Sequence, residues 1–231
     1  MVKRHLGFTL IELMVSLVLL SMVILIGSSA FSMFSSRWDG RLGKFSQSVS
    51  QARNMILVEE ALSSIIPYVT FDEKNNPQLY FEGNRNGFVA VTLRPVFSPD
   101  QAAVIRIQAI QQADLSFKLS YQEWPMEEGL LVNSQQEIPF NAPLVLFSDL
   151  KQVDFSYFGW RSLKDRDWTP DSLAPSREPK DWLNNYNSLT IGLQPEKVAI
   201  EFQGDKAKHS IFAELIAQQN NLLSLYNNDN Q

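Results

Sequence analysis

The chain begins Met1-Val-Lys-Arg-His-Leu-Gly7, continues Phe8-Thr-Leu-Ile-Glu12, and then runs through apolar residues to Phe34. This stretch decides the fold, because residues 13–34 contain no charged side chain. A helix of about 20 apolar residues is long enough to cross a bilayer core of about 30 Å. The sequence therefore predicts a transmembrane helix over residues 8–34.

Three charged residues flank or interrupt the apolar run. Lys3 and Arg4 precede it and predict that this end stays in the cytoplasm, since basic flanks are retained there. Glu12 lies inside the run, where a carboxylate costs roughly 2.5–3.5 kcal/mol. We therefore interpret Glu12 as a functional residue.

The segment Gly-Phe-Thr-Leu-Ile-Glu-Leu at 7–13 resembles the class III signal of type IV prepilins and type II secretion pseudopilins. The basic leader, the glycine, the phenylalanine, the glutamate and the following span all occur together. The resemblance implies that a prepilin peptidase cleaves between Gly7 and Phe8 and N-methylates Phe8, which releases residues 1–7 as a leader. It also implies that Glu12 acts in assembly, paired with the N-terminal amine of a neighbouring subunit.

Two other interpretations of the N-terminus compete with this one. An ordinary secretory signal would have an apolar region followed by a small-residue cleavage site, here Ser28-Ser29-Ala30. Glu12 and the length of the apolar run count against it. A plain single-span anchor accounts for the length, but it leaves Gly7-Phe8 and Glu12 without a role.

The composition limits the remaining chemistry. The chain has 231 residues, 45% of them hydrophobic, which is enough for one anchor helix and one domain with a core. It has no cysteine, so disulfides, thiol nucleophiles and thiolate metal sites are excluded. The net charge is −5 and becomes more negative when Lys3 and Arg4 are removed. Such an acidic chain is a poor candidate for nucleic-acid binding, which needs a basic face.

Helical periodicity continues beyond the apolar run, over residues 35–66. Apolar residues recur there at spacings of three and four, which is typical of an amphipathic helix. Pro67 predicts its end. We expect the part near the membrane, Leu42, Phe45 and Val49, to contact a partner subunit, and the distal part to pack on the chain's own domain. The distal residues of this stripe are Ala52, Ile56, Leu62 and Ile65.

After Pro67 the pattern alternates with a period of two. Segments rich in β-branched and aromatic residues predict strands, with turn residues between them. The predicted strands cover residues 79–81, 88–93, 104–107, 115–121, 144–147, 153–157, 198–202 and 210–215. The fold class is therefore α+β and pilin-like: a long N-terminal helix packed on an antiparallel β-sheet domain over residues 67–217.

Two segments lack this pattern. Residues 161–188 are polar and contain three prolines, so we expect a solvated insertion held to the domain by Trp168 and Trp182. Its carboxylates could gather around a calcium ion, but their spacing matches no EF-hand loop; they are Asp165, Asp167, Asp171, Glu178 and Asp181. We therefore predict no metal site and no cofactor. Residues 218–231 are rich in asparagine and glutamine and are expected to form a frayed polar tail.

The sequence offers no catalytic residue. His5 lies in the leader, and His209 is expected at a strand end on the surface. The carboxylate pairs Glu59-Glu60 and Glu127-Glu128 are sequence neighbours, which do not face each other on a helix. No nucleophile, metal-hydrolase or nucleotide-binding motif occurs. We therefore predict that the protein is not an enzyme.

The C-terminal half is similar, more loosely, to J-type minor pseudopilins and to W-type minor pilins of type IV pili. The shared features occur in the same order, although Gln194 interrupts the Leu-Pro pair of that group. They are Leu-Val-Leu at 144–146, Val-Asp-Phe-Ser-Tyr at 153–157, Trp160 and Trp168, and Leu-Gln-Pro-Glu-Lys-Val at 193–198. The K-type tip subunit is disfavoured, because it lacks the glutamate found here as Glu12.

The resemblance implies a minor pseudopilin of a type II secretion system, which assembles with other minor pseudopilins into the tip complex that primes the pseudopilus. The alternative is a minor pilin of a type IV pilus that acts in priming, adhesion or surface binding. Both imply a bacterial inner-membrane protein with a periplasmic C-terminal domain. Both also imply prepilin peptidase and other pilin subunits as partners.

Overall fold

The structure of the protein is a computed structural model that describes residues 9–170, 176–205, 207–217 and 222–227. The chain divides into two compact units, Met1–Ser50 and Gln51–Gln231. The described part of the first unit is almost entirely helical. The second unit contains the end of the same helix and all the strands.

The N-terminal helix, α1, spans Leu10–Ser63. It ends three residues before the predicted end at 66, because the backbone of the next residues pairs with strand residues instead. Ile65 forms an isolated antiparallel bridge with Thr92, and the Ile66 amide donates to the Val91 carbonyl at 3.0 Å.

The described chain after α1 forms twelve strands and three short helices. The strands are β1 (Val69–Phe71), β2 (Pro77–Leu79), β3 (Phe81–Asn84), β4 (Gly87–Thr92), β5 (Ala103–Gln111), β6 (Phe117–Pro125), β7 (Leu144–Leu150), β8 (Gln152–Gly159), β9 (Asp181–Leu183), β10 (Tyr186–Asn187), β11 (Lys197–Gln203) and β12 (Lys208–Glu214). The helices are α2 (Leu163–Arg166), α3 (Ser188–Ile191) and α4 (Leu222–Asn227).

All strand pairs are antiparallel, and the predicted α+β class is confirmed. Each predicted strand overlaps an observed one, although the predicted strand at 79–81 is split by Tyr80 into β2 and β3. The strands form a six-stranded sheet of order β10-β3-β4-β5-β6-β7, a four-stranded sheet of order β12-β11-β8-β9, and the pair β1-β2.

The change of sheet occurs between β7 and β8. Asp149 has a positive φ of 57°, a left-handed conformation that bends the chain at the end of β7. The Lys151 amide then donates to the Gln203 carbonyl at 2.8 Å, and β8 pairs with β11 from Gln152 to Phe158. The single sheet expected from the strand pattern is therefore divided into separate sheets.

The two larger sheets and the end of α1 share one hydrophobic core. Alternate residues of each strand point into it, as the period of two predicts. Its fully buried side chains include Val58, Ala61, Leu62, Ile65, Phe81, Ile105, Ile107, Leu119, Tyr121, Phe155, Tyr157, Val198, Ile200 and Phe202. A smaller cluster of Tyr80, Val91, Val104, Trp124 and Leu131 lies on the other face of the six-stranded sheet.

The buried face of α1 differs from the predicted one in part. Leu62 and Ile65 are buried as expected, but Ala52 is exposed and Ile56 is 59% exposed. The reason is helical geometry: at 100° per residue, Ile56 lies about 160° around the helix from the buried Val58. The Asn54 side-chain amide also holds this part of the helix, since it donates to the Leu146 carbonyl at 2.8 Å.

Tyr157 of β8 joins the two sheets through the β3–β4 hairpin. Its hydroxyl lies 2.8 Å from the Asn84 carbonyl oxygen and 2.9 Å from that of Gly87. A Cβ on Gly83 would lie 2.4 Å from the tyrosine ring, so only glycine fits under it. Burial raises the pKa of Tyr157, which keeps its hydroxyl a donor.

The described parts of residues 161–188 are more ordered than expected. They contain α2, β9 and β10, and Trp182 of β9 packs against Phe158 and Phe212 with ring centroids 5.4 and 5.8 Å away. Within the predicted polar tail, the described residues 222–227 form α4. Tyr226 of α4 meets Phe71 edge to face, which gives this short helix an apolar contact.

Glu123 is a fully buried carboxylate in β6 that holds the segment after β4. Its Oε2 accepts from the Tyr121 hydroxyl at 2.6 Å and from the Phe97 amide at 3.0 Å. The Tyr121 hydroxyl in turn accepts from the Val96 amide at 3.0 Å. Glu123 Oε1 has no partner among the described residues.

We predict that Glu123→Gln keeps the fold with little change in stability, whereas Glu123→Leu destabilises it. Glutamine retains one oxygen for both donors, but leucine leaves the Tyr121 hydroxyl and the Phe97 amide buried without an acceptor. Each such donor costs about 1–3 kcal/mol. Chemical unfolding of the full chain in detergent micelles, followed by circular dichroism, measures both effects. Equal losses for the two variants would show that side-chain shape, not hydrogen bonding, matters at this position.

Candidate processing and assembly site

The start of α1 is a capping box formed by Thr9 and Glu12. The Thr9 amide and hydroxyl donate to Glu12 Oε2 at 3.1 and 3.2 Å, and the Glu12 amide donates to Thr9 Oγ1 at 3.3 Å. This reciprocal pairing satisfies amides that the first turn of a helix leaves without partners. Sequence reasoning missed the role of Thr9, although the spacing Thr-x-x-Glu is the signature of such a box.

Only one oxygen of the Glu12 carboxylate takes part in this cap. Both donors of Thr9 bind Oε2, and Oε1 accepts no hydrogen bond from any described residue. An acid in the first turn also interacts favourably with the helix dipole. Glu12 can therefore cap its own helix and still present an oxygen to a cation from outside.

The helix behind Glu12 is apolar on every side. One helical segment of the described chain, Leu10–Ser35, is long and apolar enough to cross a membrane. Every residue from Leu10 to Phe34 is exposed. The Ser16 and Ser21 hydroxyls donate to carbonyls one turn earlier, at 2.7 and 2.8 Å, so these two donors are satisfied within the helix.

The other predicted site residues are only partly within the described structure. Lys3, Arg4, Gly7 and Phe8 lie outside the described residues. Leu42 lies in α1, but its side chain is not described. Phe45 and Val49 are 69% and 51% exposed.

Each unit has exposed apolar residues on its own part of α1. In the first unit, Phe45 and Val49 lie one helical turn apart and are exposed; they are called the exposed stripe below. In the second unit, Ala52 and Ile56 are also one turn apart and exposed. Exposed apolar positions of this kind have the character of an interaction surface.

The described carboxylates considered for metal binding form ion pairs and hydrogen bonds with neighbouring side chains. Arg161 lies within 3.7 Å of Glu178 and 3.0 Å of Asp181, and Arg166 pairs with Asp167. Asp165 accepts from the Ser162 hydroxyl at 2.6 Å, while Asp171 lies outside the described residues. Within the described chain, no three potential ligands form a cluster.

His209, the histidine that follows the leader, lies in β12 and is exposed. Its ring stacks on Phe202 with centroids 5.6 Å apart. This is the surface position near a strand end that the sequence predicted.

A comparison with protein families finds a known motif at the N-terminus. The family model of the prokaryotic N-terminal methylation motif matches residues 2–28. No curated protein matches the chain. The chain thus carries the prepilin-type signal of type IV pilins and pseudopilins, followed by a helix that fits a single-pass inner-membrane anchor.

The motif supports a type IV pilin- or pseudopilin-like protein with a structural rather than an enzymatic role. It also implies processing by prepilin peptidase and assembly with other pilins.

We predict that Glu12→Gln and Glu12→Ala both fail to assemble, although glutamine preserves the capping box. Glutamine can replace glutamate in such a box but carries no charge. Both variants should still be processed and reach the membrane. Chemical crosslinking to neighbouring pilins, or disulfide crosslinking through cysteines introduced into both subunits, measures incorporation. Normal incorporation of Glu12→Gln beside failure of Glu12→Ala would assign the residue to capping alone.

Proposed function

We propose that the protein is a minor pseudopilin of a type II secretion system, most like the J-type subunits. In this role it assembles with other minor pseudopilins into a tip complex that primes the pseudopilus for protein export. The observation that carries the proposal is the prepilin-type motif at residues 2–28, joined by one helix to an α+β domain.

The order of core residues in the C-terminal half supports the J-type assignment. Tyr157, the tyrosine of the shared strand pattern, is the residue that joins the two sheets. Leu193, Pro195 and Val198 of the second pattern are all buried. W-type pilins of type IV pili share these features, so a pilus minor pilin is the alternative function.

The Glu12 carboxylate is proposed to bind the N-terminal amine of a neighbouring subunit. Oε1 is free to accept from that ammonium while Oε2 keeps the cap. A charge-assisted hydrogen bond is strong where water is scarce, and removal of one partner leaves the other uncompensated. Processing between Gly7 and Phe8 is needed first, because it creates the amine of each mature subunit.

The proposed orientation places the β-rich domain in the periplasm and the mature N-terminus at the cytoplasmic side of the inner membrane. Lys3 and Arg4 support this orientation. Leu42, Phe45 and Val49 would then lie just outside the bilayer, where they contact helices of partner subunits.

Deletion of the chromosomal gene tests the function directly. The proposal expects loss of protein export with surface pili intact, and rescue by the wild-type gene but not by Glu12→Ala. Loss of pili with export intact would replace the proposal with the pilus alternative. No effect on either would contradict both.

We predict that the mature protein begins with N-methyl-Phe8. The basic leader and the Gly-Phe junction are the features that a prepilin peptidase recognises in the resembling family. Intact-mass and N-terminal analysis of protein extracted from membranes measures the terminus. A mature start at Phe31 would instead indicate an ordinary secretory signal.

We predict that Phe45→Glu abolishes co-purification with partner pilins while the circular dichroism of the protein stays unchanged. The substitution puts a charge in the exposed stripe, where burial against a partner helix would desolvate it. Leu130→Glu is the matched control, since Leu130 is 68% exposed but lies in the β-rich domain. Equal behaviour of the two variants would contradict a role for this helix face.

A further inference from the structure

A polar groove of about 930 Å³ crosses the outer face of the six-stranded sheet. Its floor is made by neighbouring strands: Glu82 of β3 pairs with Val89 of β4, which pairs with Arg106 of β5. The β1–β2 hairpin and residues 134–140 form its walls, and Leu189 and Thr190 of α3 also line it. All these residues belong to the second unit.

Arg106 is an arginine without an acidic partner. Its guanidinium carbon lies 4.0 Å from the centroid of the Phe140 ring, which holds the planar group in place. The side chain is half-buried, and within the described residues it makes no ion pair and no hydrogen bond. A half-buried guanidinium has five N–H donors and is suited to bind a planar carboxylate through two parallel bonds.

Tyr80 supplies a second free donor in the same groove. It is 7% exposed, and its hydroxyl has no hydrogen-bond partner among the described residues. Burial raises its pKa to about 12, Glu82 adds to this effect, and Arg106 opposes it. The hydroxyl therefore keeps its proton at neutral pH and can donate it to an acceptor in the groove.

The rim of the groove is mainly acidic. Glu73, Glu82 and Glu137 line it and are exposed. Lys74 is an exposed cation in the same lining, and Asp72 is held in its own turn by the Asn76 and Lys74 amides. These carboxylates repel a multiply charged anion such as phosphate. They attract a cation that lies beside the group bound by Arg106. Val89, Ile138 and Phe140 add apolar side chains to the lining.

We propose that this groove binds the carboxylate of an extended, basic polypeptide segment. Arg106 holds the carboxylate through its guanidinium fork and Tyr80 donates its hydroxyl. The rim carboxylates bind a lysine or arginine of the same segment. The carboxylate is either the C-terminus of the bound chain or an aspartate or glutamate side chain within it.

The proposal does not depend on the secretion or pilus assignment, and it is tested by titration of the full chain in detergent micelles. The probes are acetyl-Lys-Ala-Leu with a free C-terminus, the same peptide as its amide, acetyl-Lys-Glu-Leu-amide, and inorganic phosphate. The readout is the ¹⁵N resonance of the Arg106 Nε–H group, together with calorimetry. The first and third peptides distinguish a C-terminal from a side-chain carboxylate.

The proposal expects saturable binding of at least one carboxylate peptide and none of the simple amide. Arg106→Gln and Arg106→Lys should weaken binding about tenfold or more, because lysine keeps the charge but lacks the fork. Tyr80→Phe should weaken it less. Arg94→Gln, which removes an exposed cation outside the groove, is the control and should change nothing.

Several outcomes would overturn the proposal. They are equal binding of the amide peptide, binding of phosphate as tight as that of the carboxylate peptides, equal effects of Arg106→Gln and Arg94→Gln, or no saturation by any peptide. Because Arg106→Lys keeps the charge and the stem of the side chain, it remains informative if Arg106→Gln fails to fold.

Discussion

The structure depends on one constraint: the first part of α1 has an apolar surface on every side. Exposure of such a surface to water is unfavourable, and every residue from Leu10 to Phe34 is exposed. Lipid and the helices of other subunits are the environments that can cover it. The same environment explains the capping box of Thr9 and Glu12. The free amides at the start of a helix need partners within the protein once water is excluded, and the box supplies them.

The burial of α1 side chains changes along the helix. At Val58 and Leu62 one face is fully buried in the domain core, while Ile56 lies on the opposite face and is exposed. A helix that is apolar on two opposite faces has more apolar surface than its own domain can cover. This excess is consistent with a subunit that is completed by its neighbours, as the pilin-like motif implies.

Within the domain, close packing around Tyr157 decides how the sheets meet. The ring lies over Gly83, the hydroxyl reaches carbonyls of the adjacent hairpin, and Phe81 and Phe88 pack edge to face against it. One buried side chain thus supplies both apolar area and a hydrogen-bond donor between two separate sheets. On the other face of the six-stranded sheet, packing is less complete, and the groove with Arg106 remains open.

By itself, the sequence determined the apolar N-terminal helix, the prepilin-type motif, the α+β class and most of the strands, because these follow from local periodicity and from residue types at fixed spacing. It did not predict β1, β9 and β10, which are only two or three residues long. Only the tertiary structure decided that Ile56 is exposed, that β8 leaves the sheet of β7, and that Arg106 lies beside Tyr80 under the Phe140 ring. Alternation along a strand tells which residues share a face. It does not tell which loops fold over that face, since those contacts join residues far apart in the chain.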